Sequence, residues 1–512
     1  MKHLFAVVAV FAVLFSVLGA ASADEKRTYE KIPDSITTPE SIETKVGTLK
    51  LKDGVPTKET AELLLDNLDL SRGVDAFMNG MPAANFAGGH RGHLELGQRT
   101  CNQVVIFDEL MDSNSLFLTG NASTVYITSF LDLKRHGPIV VEIPAQSGPG
   151  ILVDSYTRYL TNFGPPGPDR GEGGKYLVLP PGYDGKELTG IVPEAEYFIV
   201  RSPSWVNWLL IRGFLKDGKP DFSSELFRNG LKIYPFSAAM NPPAMEFING
   251  SGRAFNTVHA NDFSFFEELH SVVDREPIEM FEPQVRGLFA AIGIQKGKPF
   301  APDARMKKIL TQAAKLGNAT VRSLFWYERD KSAFLYEGSY WKRGFVGGSH
   351  EYLKDHGLGG RNLDARAQYF YMATFNSPAM IWKLIGKGSK YAWGYLDSSG
   401  IPLDGKNTYK LRLPKDLPAK KFVSVCVYDN QTRSMLQTDQ RFPSKNSNRD
   451  NMARNEDGSI DVYFGPEAPA GKEANWIQTI PGKGWFCLLR LYSPTEAWYD
   501  KTWRPSEIEL VK

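Results

Sequence analysis

The histidines offer the first chemistry, and His90-Arg-Gly-His93 is their tightest pair. Two imidazoles three residues apart on a helix could ligate a metal if a third donor came from elsewhere. The flanking Gly88-Gly89 and Gly92 argue for a loop instead, and no His-Glu-x-x-His or Cys-x-x-Cys accompanies the pair. His90 and His93 therefore stand as metal candidates beside the simpler reading of surface histidines. His350-Glu351 and Asp355-His356 lie in a stretch rich in glycine, with Gly347-Gly348 and Gly359-Gly360. Loops of this kind often carry functional groups, which makes His350 and His356 the candidate general bases. A solvated loop is the alternative. There is no Gly-x-Ser-x-Gly nucleophile elbow, and no cofactor is indicated. The remaining candidates are for recognition. Trp476 and Trp498 read as exposed aromatic faces on which a sugar could stack, although aromatics more commonly fill cores and seams. Arg490 alternates with Leu489 and Leu491, which puts it on the opposite face of its strand, where it could pair with a carboxylate such as Asp461 or with a bound anion.

The elements that must hold these residues read mainly as strands. Short β-branched and aromatic runs bounded by Gly, Pro, Asn or Asp recur from Thr124 to Phe214, and again from Lys390 to Tyr492. Between them, Ser264 to Asp274, Ile278 to Ile292 and Pro302 to Tyr327 carry apolar residues at helical steps, and another helix is expected around Asn362 to Phe375. Ahead of the first strands, a helix or helix pair opens at Thr57 to Thr60 and is expected to stop at Asn79-Gly80, with Pro82 behind it. The residues from Asp24 to Leu51 read as an extended arm. Lys2, the apolar run Leu4 to Leu18 and Ala21-Ser22-Ala23 have the pattern of a secretory signal peptide, so the mature protein is expected in a periplasm, envelope or medium. Three cysteines make no disulfide framework; Cys426 and Cys487 fall in apolar strands, and a bridge between them stays open. With 60 Lys+Arg against 58 Asp+Glu and no basic run, nucleic acid is excluded as a partner, and no later stretch is apolar enough to span a membrane.

Several motifs carry a resemblance. Phe107 to Leu110, Leu116 to Asn121, Gly137 to Pro144 and Gly173 to Leu177 through Val192-Pro193 are similar to the family called domain of unknown function 1254. Asp397, Gly400, Tyr409, Val427 to Asp429, Asp457 to Ser459, Asn475-Trp476, Leu489 to Tyr492 and Trp503 to Pro505 resemble its companion, domain of unknown function 1214. Phe422-Val-Ser424 departs from the pattern, where a Trp more often follows the Phe. The resemblance implies an immunoglobulin-like β-sandwich, a helical insertion and a C-terminal jelly-roll-like β-sandwich, and it implies no activity. The expected organisation is a signal peptide at 1–23, an N-terminal arm and helices at 24–103, the first sandwich at 104–255, a helical segment at 256–329 and the second sandwich at 330–512.

Three functions fit this reading. The first is an envelope binding module that holds a small molecule or glycan between domains. The second is a hydrolase or lyase whose acid and base come from distant residues such as His350 and His356. The third is a structural or assembly protein that forms a homo-oligomer through its sheet edges.

Overall fold

A computed structural model describes residues 28–184 and 196–511. The expected signal peptide and the Val192-Pro193 motif lie outside them. The chain forms two compact units that part after Asn67. In the first, the arm is in fact a hairpin: Ser41–Thr44 pairs antiparallel with Gly47–Lys52, which in turn pairs with Val55–Pro56. Its alternation was easy to miss because only Leu49 is buried among exposed Lys, Thr and Glu side chains.

The second unit, from Leu68, is mainly β with helical segments. A six-stranded sheet, whose inner strands are Thr124–Asp132 and Val206–Phe214, shares an apolar core with a four-stranded sheet built on Ile139–Ile143 and Gly174–Leu179. Val125, Ile127, Leu209 and Ile211 meet Ile139, Val141 and Val178 there. Further along, a five-stranded sheet ordered Lys342–Arg343, Ser389–Gly394, Trp485–Pro494, Ala419–Asp429 and Ser444–Asn446 shares a second core with a four-stranded sheet around Tyr409–Leu413 and Ile460–Gly465. The helices Ser264–Arg275, Ala304–Trp326 and Leu363–Met372 agree with the sequence periodicity to within a few residues; Ile278 to Ile292 divides into a 3-10 turn and the helix Pro283–Ala290.

The six- and five-stranded sheets are covered on both faces. Phe130, Trp208 and Leu210 from the first, and Trp393, Tyr428, Phe486 and Leu488 from the second, belong to one central core together with the helices. All ten residues of Trp485–Pro494 are consequently buried. A residue that alternates away from one core in such a strand enters another core rather than solvent. Register places the cysteines as well. Cys426 lies opposite Leu488 and faces the central core, while Cys487 lies opposite Val427 and faces the C-terminal core, so both thiols are free.

The helix expected to end at Asn79-Gly80 runs unbroken from Lys58 to Leu96, through Pro82. Pro82 forfeits one backbone hydrogen bond, and burial of the helix overrides that local penalty. Its glycines serve close packing. A Cβ at Gly88 would lie 2.6 Å from the Thr257 carbonyl oxygen, at Gly89 2.4 Å from the Trp208 ring, and at Gly92 2.8 Å from the Asn256 carbonyl oxygen. Trp208 cannot yield, since Phe130 stacks on it at 4.9 Å and Phe375 leans on it at 4.6 Å. Gly89→Ala is therefore expected to destabilise the protein by about 2 kcal/mol, read as a lower denaturant midpoint, although alanine favours helix.

Candidate functional site

The arrangement that departs most from an ordinary core surrounds Arg490. This side chain is 4% exposed and projects from the middle of Trp485–Pro494 into the central core. Its Nη1 donates to the Tyr428 hydroxyl, and its Nη2 donates to the Thr119 and Gly120 carbonyl oxygens at 2.7 and 3.3 Å. Tyr391 lies directly across from it on the neighbouring strand. From the six-stranded sheet, Arg212 donates Nη1 to the Tyr391 hydroxyl at 3.1 Å and lies 5.5 Å from the centre of the Tyr126 ring. The groups that act on these two guanidiniums are tyrosines and a thiol rather than carboxylates. Burial alone would raise the Tyr391 phenol, but Arg212 and Arg490 together outweigh burial and hold it below the ordinary phenol range.

Both arginines line a cavity of ≈ 50 Å³. It shares Gly344, Phe345, Met380 and Tyr391 with an outer cavity of ≈ 230 Å³. The outer one adds Arg343, Lys390 and Lys501. Lys390 is buried and donates to the Ala379 and Met380 carbonyl oxygens, and burial lowers its ammonium to about 8. Arg343 is lowered by burial too, and its Nε has no hydrogen-bond partner among the described residues. Five basic groups thus converge, and no Asp or Glu of the described residues lines either cavity. Apolar side chains supply much of the remaining lining, Phe117, Leu210, Phe375 and Trp393 in the first cavity and Leu335 and Ile381 in the second. Burying cations without counter-charge is costly, and an anion with an apolar body would offset that cost.

The residues singled out from sequence are scattered relative to this centre. Arg490 is at it, but Asp461 is not its partner, since Asp461 lies on another sheet opposite Arg412. Trp498 lines the outer cavity, yet it is buried rather than an exposed platform. Trp476 is half-buried, donates its indole N–H to the Gly465 carbonyl oxygen at 2.9 Å, and lines neither cavity. His350 and His356 both line a broad cleft of ≈ 1050 Å³, where His356 is exposed and His350 is partly covered. His90 and His93 sit on the long helix, not in a loop. His93 is buried against the Gly89 carbonyl and the Thr128 hydroxyl, and burial brings it to about 4 and His90 to about 3. Among the described residues no cluster of His, Cys, Asp and Glu is arranged to hold a metal, and no helix is long and apolar enough to cross a membrane. Sequence reasoning missed Arg212, Arg343 and Lys390. For Arg212 the available signal was a basic residue inside the largely apolar strand Val206–Phe214.

Two family models match the chain, each described as a protein of unknown function: DUF1254 over residues 101–235 and DUF1214 over residues 388–496. The chain resembles both, in that order. The inner cavity draws on each, with Arg212 and Tyr126 from the first span and Tyr391 and Arg490 from the second. Among solved structures, the VPA0106 protein from Vibrio parahaemolyticus aligns with a TM-score of 0.52 at 19% identity, covering 87% of this chain and 100% of that one. That likeness is one of fold. An uncharacterized protein from Burkholderia cenocepacia aligns at a TM-score of 0.38 and 12% identity, over 88% of this chain and 96% of that one. No curated protein matches the chain.

Proposed function

We propose that the protein binds a small monocarboxylate with an apolar body in the paired cavities. The carboxylate would meet Arg343 and Lys390, or reach Arg212 and Arg490 within, and the chain would lie along Phe345, Met380 and Ile381. The observation that carries this reading is the convergence of five basic groups on cavities lined by no acid among the described residues. The reading takes the protein to act after export, in keeping with its N-terminal pattern, and takes the two sheet pairs as an immunoglobulin-like and a jelly-roll-like sandwich joined by the helices.

Thermal shift with a series of short- and medium-chain carboxylic acids, set against their neutral amides, tests it, because a ligand stabilises by mass action without presupposing a reaction. The acids should stabilise and the amides should not; equal effects from both would remove the proposal. Lys390→Met should weaken binding by at least tenfold. A bound anion favours the ammonium, so above the free-state value near 8 binding must take up a proton. Affinity should hold below that pH and fall above it, by up to about tenfold per pH unit.

The Tyr391 phenol, held down between two guanidiniums, favours a second reading in which Tyr391 exchanges a proton with the ligand. An ultraviolet titration of tyrosinate that is absent from Tyr391→Phe would support it, and identical titrations of the two proteins would sink it.

A further inference from the structure

A separate cavity of ≈ 300 Å³ shares no lining residue with the pair described above. Four distant stretches meet there: Pro82 of the long helix, the turn Tyr156 to Tyr159, the segment Met280 to Val285, and residues between His350 and Asn376. Three guanidiniums reach it, and their partners differ. Arg361 spans the Glu351 carbonyl and the Glu282 carboxylate, the latter at 3.4 Å. Arg158 places Nε 2.6 Å from Asp154 Oδ2, while its Nη2 is buried with no hydrogen-bond partner among the described residues. Arg366 is 7% exposed and gives one N–H to a neutral acceptor, Asn79 Oδ1, at 2.6 Å; its Nε is also buried without a partner.

A buried guanidinium N–H that lacks an acceptor is destabilising. The two arginines that carry such groups, far apart in sequence, both line one cavity, and a carboxylate satisfies guanidinium donors well. The rest of the lining is suited to hydroxyls. His350 packs edge-on against Tyr159 at 5.8 Å, and burial keeps its imidazole below the usual range, so at neutral pH it is uncharged and able both to donate and to accept. Glu282 and Glu351 stand exposed at the rim as acceptors. The volume is at the small end for ligand sites, which fits a single sugar ring rather than a chain.

We propose that this cavity is a second ligand site, which takes a hydroxylated carboxylate of single-sugar size, such as a hexuronate, with its carboxylate on Arg366 and Arg158 and its hydroxyls toward His350 and Glu282. His350 would then act in recognition.

Calorimetric titration of the full chain with galacturonate, galactose and inorganic sulfate tests this. Galacturonate should bind, with galactose and sulfate each at least tenfold weaker, and Arg366→Gln should weaken galacturonate by at least tenfold. Because Arg366 also holds Asn79, a second variant leaves every guanidinium in place. Val285→Trp, on the helix Pro283–Ala290, fills the cavity and should abolish binding. Lys390→Met, which belongs to the other cavities, should leave galacturonate affinity unchanged. No binding of galacturonate, equal binding of galactose or sulfate, undiminished binding in Val285→Trp, or loss of binding in a folded Lys390→Met would each overturn the proposal.

Discussion

Arg490→Met is expected to lower stability by about 3 kcal/mol, measured by denaturant unfolding. Two effects oppose each other. Removing a buried cation relieves its desolvation, which on its own favours the variant. Against this stand three hydrogen bonds from one guanidinium, to Tyr428 and to two successive carbonyls of the loop at Thr119. Thr119 sits at φ 45, a conformation unfavourable for a β-branched residue, and Arg490 is one of the contacts that hold it there. Tyr428 still donates to Gly120 in the variant, whereas the Thr119 carbonyl loses its charged donor. The lost bonds should win. Arg490→Lys, which keeps the charge but not the fork, should recover less than half of the loss. A methionine variant as stable as the parent would mean that the arginine is retained for its cavity and not for the fold.

Glu328→Leu should have an effect of about 3–5 kcal/mol. Lys342 and Glu328 form a pair 2.6 Å apart with side chains 2% and 6% exposed, and Gln368 bonds to both. Even with Glu328 present, burial outweighs the attraction and lowers the Lys342 ammonium from its usual range. Without the carboxylate a buried cation is left facing the Phe325 ring, 4.6 Å from its centre. The sign of the pH dependence follows. The folded-state value lies below the unfolded one, so the unfolded chain binds more protons in that window and stability rises with pH. Glu328→Leu should therefore be least stable at neutral pH and recover as the solution becomes alkaline. The double variant Glu328→Leu/Lys342→Met should regain most of the loss, and a double variant no more stable than the single one would show that the pair does more than neutralise itself.

How much of this was legible depended on whether an element meets solvent. The mainly β character with helices between was readable because turn residues and apolar periods punctuate the chain, as at Leu363–Met372, where Asn362 caps the first turn by accepting from the Ala365 N–H. Alternation placed Arg490 opposite its leucines correctly. What lies beyond that face was invisible, because period two does not distinguish solvent from a second core. Trp498 was misread as exposed because it sits on the short helix Glu496–Tyr499, which turns it into the C-terminal core. Gly88, Gly89 and Gly92 were misread in the other direction: as local signals they mark a loop, yet each makes room for a neighbour more than a hundred residues away in sequence. Of the candidate site, one arginine was visible; the convergence of Arg212, Arg343 and Lys390 on it is purely a matter of tertiary arrangement.

The bond from Arg490 to Thr119 joins residues 371 apart in sequence. A ribosome must add 371 residues beyond Thr119 before that loop finds its donor, and strand Ser389–Gly394 waits equally for Trp485–Pro494 to lie beside it. Contacts so distant close slowly, and until they close the six-stranded sheet exposes an apolar face that nascent chains bury only with difficulty. Deletion of Trp485–Pro494 should therefore remove more than an edge: it should leave the central layer unformed and the first sheet prone to self-association, which makes the pairing of that strand the step that commits a newly made molecule to its native state.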